Sequence, residues 1–403
     1  MNGDTPLEAL DVSSPLLFQQ ELHGPLFARL RREAPVHHCR ASAYGPYWSI
    51  TRHADIQAVE LDHVRFSSQG NIIIGDVPAA FDSTQAFATS DPPVHTHERG
   101  AVTPALSAQR IARLEAHTRE GVRAVLDALP RGLIFDWAER VSAELTARMV
   151  GALFDLAPQE RARLAAWAEV LVTAPAPGAI AQTWAQRAAI LEEYRERMLA
   201  LWRARAPAPG EDVISALTRS SYTAGMVLDP DRLIGTITLV AGANEAARGA
   251  LSGCIVAFDR FPGEWQRLRA QPALADNAAA EIVRWQTPII HMRRTATADV
   301  ELHGQRIRRG DRVVLWYCSA NRDEALFDAA DTLRIDRANA RRHLSFGAGI
   351  HRCIGAHAAH VQVRVLLQEM LARDLRVELD GVPRRLASNF SAGYAQLPAC
   401  IRC

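Results

Sequence analysis

Apolar residues recur at helical spacing over most of the 403 residues, and this periodicity constrains the fold more than any other feature of the sequence. Candidate strands are few and short, at 47–51, at 300–307 with a turn at His303-Gly304, and at 313–317. We therefore predict one mainly α-helical domain over residues 1–403, with a minor β sheet near each end. The clearest helical segments are 27–32, 108–129, 135–154, 158–172, 182–205 and 361–372.

Charge and apolar content exclude several classes of function. The formal net charge is +1 and every basic residue is arginine, so neither nucleic acid nor an anionic membrane is expected as a partner. The first ten residues lack the basic and apolar regions of a secretory signal, and no run approaches the ~18 apolar residues of a membrane span. We expect a cytoplasmic protein. The Cys400-x-x-Cys403 pair has no second pair with which to bind zinc.

Residues 346–355, FGAGIHRCIG, surround one cysteine with glycines just before a helical pattern. Glycine lets a backbone approach a neighbour closely or adopt positive φ. The free amides and dipole of a helix N-terminus favour a thiolate, and Arg352 adds positive charge. Cys353 is therefore a candidate nucleophile or metal ligand. The alternative is a buried structural cysteine in a glycine-rich turn.

Residues 239–249, LVAGANEAARG, place polar groups inside a mostly apolar helix. Glycine costs about 1 kcal/mol in the middle of a helix, so Gly242 needs a reason. That reason is either a functional opening in the helix or close packing against another helix. Glu245 makes a purely structural helix harder to explain, because acids are rarely buried without a partner.

Segment 346–355 resembles the haem-ligand signature F-x-x-G-x-x-x-C-x-G of the cytochrome P450 family, at Phe346, Gly349, Cys353 and Gly355. Other family blocks occur in the family's order and cover most of the chain. The branch that hydroxylates alkanes is the most similar in its motifs. The further blocks are D-P-P-x-H-x-x-x-R at 91–99, E-x-x-R at 281–284, RWQTP at 284–288, HMRRT at 291–295, A-N-R-D at 320–323 and HLSF at 343–346.

The resemblance implies the cytochrome P450 fold, in which a long distal helix and a proximal cysteine loop enclose haem b. Cys353 would be the axial thiolate, and such a ligand favours O–O cleavage. The anionic haem propionates need cationic or hydrogen-bonding partners. An ordinary structural role is the alternative for each residue of this set. The cofactor-binding residues that the resemblance implies are His95, Arg99, Arg294, Phe346, Gly347, His351, Cys353 and Gly355.

The E-x-x-R block places Glu281 and Arg284 on one helical face. The resemblance implies a buried structural pair that supports the cysteine loop, with Arg337 as its third member. The alternative is an exposed ion pair worth ~0–1 kcal/mol.

The distal helix of the family carries a glycine, then an acid followed by an alcohol, usually threonine. Aligned without gaps, Gly242 or Ala243 lines the oxygen groove, Glu245 takes the acid position and Ala246 replaces the alcohol. A shifted alignment puts Asn244 at the acid position and Glu245 at the alcohol position. We prefer the first alignment, in which Asn244 and the residues after Ala246 also match the alkane-hydroxylase branch. The threonine is missing in both.

This departure leaves three hypotheses for proton delivery open. Glu245 with ordered water delivers protons directly, as a general acid. A polar group on the substrate replaces the missing hydroxyl. Alternatively, the reaction proceeds at an earlier stage of O2 activation and needs no efficient relay.

The substrate pocket is implied by the resemblance alone. Its candidate residues are Ala241, Ile289, Ile290, His291 and Phe390, with His291 as a polar contact or, alternatively, a core histidine. The resemblance implies a monooxygenase that uses O2 to oxidise a small, largely apolar molecule, as in secondary-metabolite biosynthesis. A peroxide-using haem enzyme and a non-catalytic haem-thiolate sensor are the alternatives.

Electron supply is inferred from what the chain lacks. It has neither a G-x-G-x-x-G after a strand nor a cysteine set for an iron–sulfur cluster. We expect a monomer that receives electrons from NAD(P)H through a separate ferredoxin reductase and ferredoxin. Arg341, Arg342 and Arg352, near the cysteine loop, are candidates for attracting an acidic ferredoxin. Solvated loop arginines are the alternative.

Overall fold

The computed structural model of this chain describes residues 5–75, 86–160, 163, 166–167, 170, 180–228, 233–237 and 244–402. Within these parts, no helix is long and apolar enough to cross a membrane. The helices, α1 to α14, are Pro15–Gln19, His23–Glu33, His53–Leu61, Val94–Val102, Ala108–Asp127, Glu144–Leu153, Trp184–Arg205, Val213–Arg219, Ser221–Ala224, Asn244–Arg260, Pro262–Ala270, Ala275–Gln286, Tyr317–Ala320 and Ala356–Ala372. The strands, β1 to β12, are Val36–Cys39, Tyr47–Ile50, Phe66–Ser67, Ile134–Asp136, His291–Ala296, Val300–Leu302, Gln305–Ile307, Arg312–Trp316, Arg376–Leu379, Arg384–Arg385, Tyr394–Gln396 and Pro398–Arg402.

The prediction of a mainly helical fold with minor sheets is confirmed. Helices α5, α6, α10, α12 and α14 pack around one large apolar core, because each presents an apolar stripe inward. Buried aromatic side chains such as Trp137 and Phe154 fill it. The predicted hairpin is also present: β6 and β7 are antiparallel and joined by His303 and Gly304, both at positive φ.

The main sheet differs from the predicted pair of sheets near the two ends. Its order is β1-β2-β8-β5-β3, so it joins N-terminal and C-terminal segments. β2 pairs in parallel with β8, with Trp48 opposite Val313. Separate small sheets combine β4, β12 and β9, and β10 with β11.

The predicted helix at 135–154 begins later than expected. Phe135 lies in β4, opposite Ala399 of β12, and a π-helical segment, Ala138–Ala143, precedes α6. The same sheet buries Cys400, whereas Cys403 is outside the described residues. Much of the predicted helix 158–172 also lies outside them.

Candidate functional site

The loop 346–355, which precedes α14, is closed on itself. The backbone N–H of Cys353 donates to the carbonyl oxygen of Phe346 at 2.7 Å, with a single 3-10 turn between them. Gly347 and Gly349 adopt φ of +65° and +63°, which side-chain-bearing residues rarely do. Helix α14 begins three residues after Cys353, so the thiol lies close to a helix N-terminus, as expected.

Helix α3 fixes the other side of this loop. A Cβ atom on Gly349 would lie 2.5 Å from the carbonyl oxygen of Glu60, and one on Gly347 would lie 3.2 Å from Glu60 Oε2. The N–H of Ala348 donates to the Glu60 carboxylate. The loop therefore packs so closely against the end of α3 that Gly349 has no room for a side chain, while a side chain at Gly347 would need its neighbours to shift.

The thiol of Cys353 is partly buried. Burial raises its pKa, while the N–H of Gly355 and the guanidinium groups of Arg99 and Arg352 act to lower it. Without a bound metal ion, the effect of burial on the Cys353 pKa is therefore larger than the stabilisation of the thiolate that we expected from the helix N-terminus. Coordination to a metal ion deprotonates a thiol outright, and the two arginines would then stabilise the resulting negative charge.

Two histidines meet beside the cysteine loop. His95 of α4 is buried, and its ring centroid lies 4.3 Å from that of His351. The buried Nε2 of His351 finds no hydrogen-bond partner among the described residues. His95 lies near the Ile350 carbonyl, but neither of its ring nitrogens completes a well-formed hydrogen bond in the same part of the chain.

Two arginines complete this group of residues, made of His95, Arg99, Arg294 and His351, which we call the propionate cluster after the role that the sequence resemblance implies for it. Burial, together with the neighbouring Arg294, His95 and Arg99, lowers the pKa of His351 to about 2. Arg99 donates to the carbonyl oxygen of Arg352 at 2.6 Å, and Arg294 donates to the Glu60 carboxylate at 3.3 Å. The cluster thus offers several donors and mutually repelling cations, an arrangement that an anion stabilises.

The E-x-x-R pair is fully buried. Arg284 donates to both carboxylate oxygens of Glu281, at 2.7 and 2.8 Å, and Arg337 donates to the same carboxylate at 2.9 Å. Both arginines lie over the ring of Phe327, 5.1 and 6.0 Å from its centroid. Their remaining N–H groups reach backbone carbonyls between residues 321 and 332, so these carbonyl oxygens satisfy the donors of two guanidinium groups that share one carboxylate.

Asn321 joins the triad to the cysteine loop. Its carbonyl oxygen accepts from Arg284 at 2.7 Å, and its side-chain amide donates to Ser345 Oγ at 2.8 Å and accepts from Leu344 N–H at 2.7 Å. The triad therefore braces the segment that leads into Phe346. The A-N-R-D block marked this position in the sequence, but its local pattern did not indicate the role.

The start of α10 is described from Asn244 onward, so the predicted residues Ala241 and Gly242 lie outside the described residues. Glu245 and Arg248 form an ion pair at 3.2 Å, with side chains 25% and 27% exposed. The Oδ1 atom of Asn244 is buried without a hydrogen-bond partner in the described chain. The side chain of Ala246 cannot donate or accept a proton. The adjacent Glu245 is the nearest titratable residue in the sequence of this helix.

The remaining pocket candidates lie on two neighbouring antiparallel segments. Ile289 forms an isolated β bridge with Ser391, and the N–H of Ile290 donates to the Phe390 carbonyl at 2.8 Å. His291 is fully buried, and its ring lies 5.5 Å from that of Phe390. Both ring nitrogens of His291 bond to the backbone, at Ile74 and at Asn389, so neither is left for the predicted substrate contact.

The arginines near the cysteine loop are not equivalent. Arg341 pairs with Asp276, while Arg342 and Arg352 are exposed. The backbone carbonyl of Arg342 accepts from His53 at 2.8 Å, which fixes the main chain and leaves the guanidinium at the surface.

The comparisons with known proteins agree with this architecture. Residues 264–396 match the family described as Cytochrome P450. Linalool 8-monooxygenase of Pseudomonas putida is 34% identical over 97% of this chain and 98% of its own length. Methyl-branched lipid omega-hydroxylase of Mycobacterium bovis is 30% identical over 98% of this chain and 94% of its own. The structure of cytochrome P450-153 from Novosphingobium aromaticivorans has a TM-score of 0.89 and 37% identity, over 97% of this chain and 99% of that one.

The chain belongs to the cytochrome P450 family and is a cytochrome P450 monooxygenase. The family binds haem through a cysteine thiolate, and the residues present fit that cofactor. A haem carries two anionic propionates, and the propionate cluster offers two guanidinium groups and an imidazole nitrogen of His351 that has no hydrogen-bond partner in the described parts of the chain. The cysteine lies on the loop that this cluster borders.

Proposed function

We propose that Cys353 is the axial ligand of haem b in this monooxygenase, which oxidises a small, largely apolar molecule. The observation that carries the proposal is the position of Cys353, at the end of a loop shaped by two left-handed glycines and next to the propionate cluster. When bound, a haem with a thiolate ligand supplies the activation of O2.

The protein's own residues then have distinct tasks. Arg99 and Arg294 would pair with the propionates, and His95 and His351 would donate hydrogen bonds to them. Gly347 lets the loop bend against α3, and Phe346 and Gly355 would lie beside the macrocycle. The buried Glu281 triad would keep the loop in place, because removing a member leaves uncompensated buried charge.

Replacement of the cysteine tests the ligand assignment. Cys353→Ser should abolish the red-shifted band that the reduced protein gives with carbon monoxide. Cys318→Ser removes a thiol from another part of the fold and should keep the band. If Cys353→Ser retained the red-shifted band, the assignment and the site built on it would be wrong.

We propose further that Glu245 supplies protons to the distal side, with ordered water in place of the missing hydroxyl. Support comes from the position of its side chain, which is 25% exposed and therefore within reach of water, and which Arg248 orients through an ion pair at 3.2 Å. General acid catalysis contributes roughly 10²–10⁴-fold, so Glu245→Gln should cut product formation by ~100-fold or more. Consumption of NAD(P)H should fall less, and the ratio of product to NAD(P)H measures the difference.

The Ala246→Thr variant separates the hypotheses for proton delivery. If Glu245 or a substrate group delivers protons, an added hydroxyl beside them should change the ratio of product to NAD(P)H. An unchanged ratio with the true substrate would contradict both, and would favour a reaction that needs no efficient relay.

The substrate class is proposed from the pocket and from the relatives. Ile289 and Phe390 are partly exposed and offer apolar surface, Ile290 is buried in the core, and both ring nitrogens of His291 are bonded to the backbone. Linalool 8-monooxygenase and methyl-branched lipid omega-hydroxylase are named for largely apolar substrates. We propose a comparable small molecule, within a biosynthetic pathway for a secondary metabolite. Titration with linear alkanes, acyclic terpene alcohols and branched fatty acids should shift the Soret band for at least one class, whereas sugars should leave it unchanged.

We propose that electrons come from NAD(P)H through a separate ferredoxin reductase and ferredoxin to a monomeric enzyme. Exposed Arg342 and Arg352 beside the cysteine loop support an acidic electron donor. Product formation from NAD(P)H in the presence of both proteins, and none without the ferredoxin, tests the proposal. Turnover with hydrogen peroxide alone would favour the peroxide-using alternative.

A further inference from the structure

Glu60, near the end of α3, is a buried acid that no motif explains. It is 3% exposed, and three donors from three separate parts of the chain converge on it. The Tyr317 hydroxyl and Arg294 Nη2 donate to Oε1, the latter at 3.3 Å, and the Ala348 N–H donates to Oε2. Both oxygens therefore act only as acceptors, which is the bonding pattern of an ionised carboxylate.

The charge of Glu60 is balanced by these donors. Burial raises its pKa, whereas Arg294, the Tyr317 hydroxyl and the Ala348 N–H act to lower it. Burial and the nearby carboxylate raise the pKa of Tyr317 well above 10, so its hydroxyl stays a donor. Taking a carboxylate out of water costs several kcal/mol, and one full charge and two hydrogen bonds offset part of this cost, so the pKa of Glu60 stays above its usual value.

The position of Glu60 links two parts of the candidate site. A Cβ on Gly347 would lie 3.2 and 3.3 Å from its two carboxylate oxygens, so the carboxylate lies directly against the cysteine loop. The same carboxylate holds Arg294, one of the cations of the propionate cluster. One side chain thus contacts both the loop that carries Cys353 and a group proposed to bind a propionate.

We propose that Glu60 is a positioning residue of the cysteine loop, and that its negative charge and hydrogen bonds set the geometry and the reduction potential of the thiolate-bound haem. This inference rests on the proposed role of Cys353. The carboxylate holds the loop through Ala348 and orients Arg294. A fixed negative charge on this side also disfavours the addition of an electron to the iron.

The Glu60→Gln variant tests the charge. A glutamine has one acceptor oxygen, so its amide group must face either Ala348 N–H or the Tyr317 hydroxyl, and Arg294 loses its counter-charge. The variant should give a smaller fraction of the red-shifted reduced-CO band. Its reduction equilibrium should move about tenfold toward the ferrous form, which corresponds to 59 mV for a one-electron couple. Glu60→Asp keeps the charge and should restore most of the potential.

The Glu369→Gln variant is the matched control. Glu369 is equally buried, with a side chain 4% exposed, and pairs with Arg119, Arg123 and Arg373 far along α14 from the cysteine loop. Its loss should lower thermal stability and leave the CO spectrum and potential unchanged. If Glu60→Gln behaved like Glu369→Gln, the proposal would be overturned.

A second variant decides the question if Glu60→Gln does not fold. Tyr317→Phe keeps the carboxylate and removes the hydroxyl donor beside Gly347, so the red-shifted fraction should fall as the loop relaxes. A Tyr317→Phe protein with wild-type spectrum and potential would overturn the proposal. A wrong ligand assignment would give a different result from a wrong role for Glu60. If Cys353 were not the ligand, Cys353→Ser would retain the red-shifted band, whatever the Glu60 variants showed.

Discussion

The Nε2 atom of His291 accepts a hydrogen bond from the backbone N–H of Ile74 at 3.0 Å, while its Nδ1 atom lies 2.8 Å from the carbonyl oxygen of Asn389. Only the neutral ring with its proton on Nδ1 satisfies both partners. The imidazole thus ties the segment before residue 76 to the segment that carries Phe390, across the strand β5. The sequence left two roles open for His291, a substrate contact or a core histidine, and these hydrogen bonds are those of a core histidine that holds two segments together.

This arrangement predicts that the protein loses stability in mild acid. Burial lowers the pKa of His291 from 6.5 to about 4, so the unfolded chain takes up its proton at a higher pH than the folded one. The contribution is fully present above pH 6.5 and is lost as pH falls toward 4. His291 alone should lower the free energy of unfolding by about 1 kcal/mol between pH 7.5 and 5.5. Urea denaturation at the two pH values measures it.

The His291→Gln variant isolates this contribution. It should be less stable at pH 7.5 and should show a smaller difference between the two pH values than the wild type. His117→Gln, on the exposed face of α5, removes an imidazole without a buried hydrogen bond and should keep the wild-type difference. An unchanged difference in His291→Gln would contradict the prediction.

The Glu281 triad should be among the most sensitive sites in the protein. Glu281→Ala leaves two buried guanidinium groups without their carboxylate, which costs about 3–5 kcal/mol. That is a large part of the ~5–15 kcal/mol that stabilises a folded protein. Urea denaturation and the haem content of the purified protein measure the loss. Asp336→Ala, which breaks a half-exposed pair with Arg267, should cost only ~0–1 kcal/mol; similar losses in both variants would contradict the argument.

Gly349 should not tolerate alanine, for two separable reasons. Its φ of +63° costs an L residue about 1–2 kcal/mol, and a Cβ would lie 2.5 Å from the carbonyl oxygen of Glu60. Gly304 also has positive φ, +71°, but nothing lies near its Cβ position, so Gly304→Ala measures the cost of the backbone conformation alone. Thermal unfolding should show a loss in Gly349→Ala that exceeds that of Gly304→Ala by about 1–3 kcal/mol, the usual cost of overpacking. Equal losses would mean that α3 moves away freely.

The fold was predictable where its causes are local. The apolar stripe of α5 lies within one helix, so periodicity located it, and the turn at His303-Gly304 is encoded by neighbouring residues. The pairing of Trp48 with Val313 depends on residues distant in sequence, and so does the strand that contains Phe135. Helical periodicity in one segment carries no information about such partners, so the mixed main sheet and β4 were missed.

The candidate site divides in the same way. Cys353 and the pair Glu281 and Arg284 belong to short patterns, so the sequence pointed to them directly. Glu60 is a single acid in an ordinary helix, and its donors come from three distant elements, so nothing near it in the sequence marks its position. The partners of His291 are likewise 217 and 98 residues away, which is why the sequence could not assign its role.

The exposed arginines beside the cysteine loop give a last prediction, in which neighbouring residues serve as each other's control. Arg342 is exposed, whereas Arg341 is already paired with Asp276. An exposed arginine speeds association with an acidic partner more than an arginine whose charge is neutralised by a neighbouring carboxylate. Arg342→Ala should therefore slow reduction by an acidic ferredoxin several-fold at low ionic strength. This is near the lower end of the ~10–10³-fold effect of electrostatic steering on association rates. Arg341→Ala should slow reduction less.

Stopped-flow reduction under carbon monoxide measures both rates, and the same experiment at high salt tests the cause. Because the Debye length falls to about 3 Å at 1 M salt, the difference between the variants should vanish there. The reduced-CO spectrum of each variant should match the wild type, since neither guanidinium bonds to the cysteine loop. Equal rates for wild type and Arg342→Ala at low salt would show that the ferredoxin docks elsewhere.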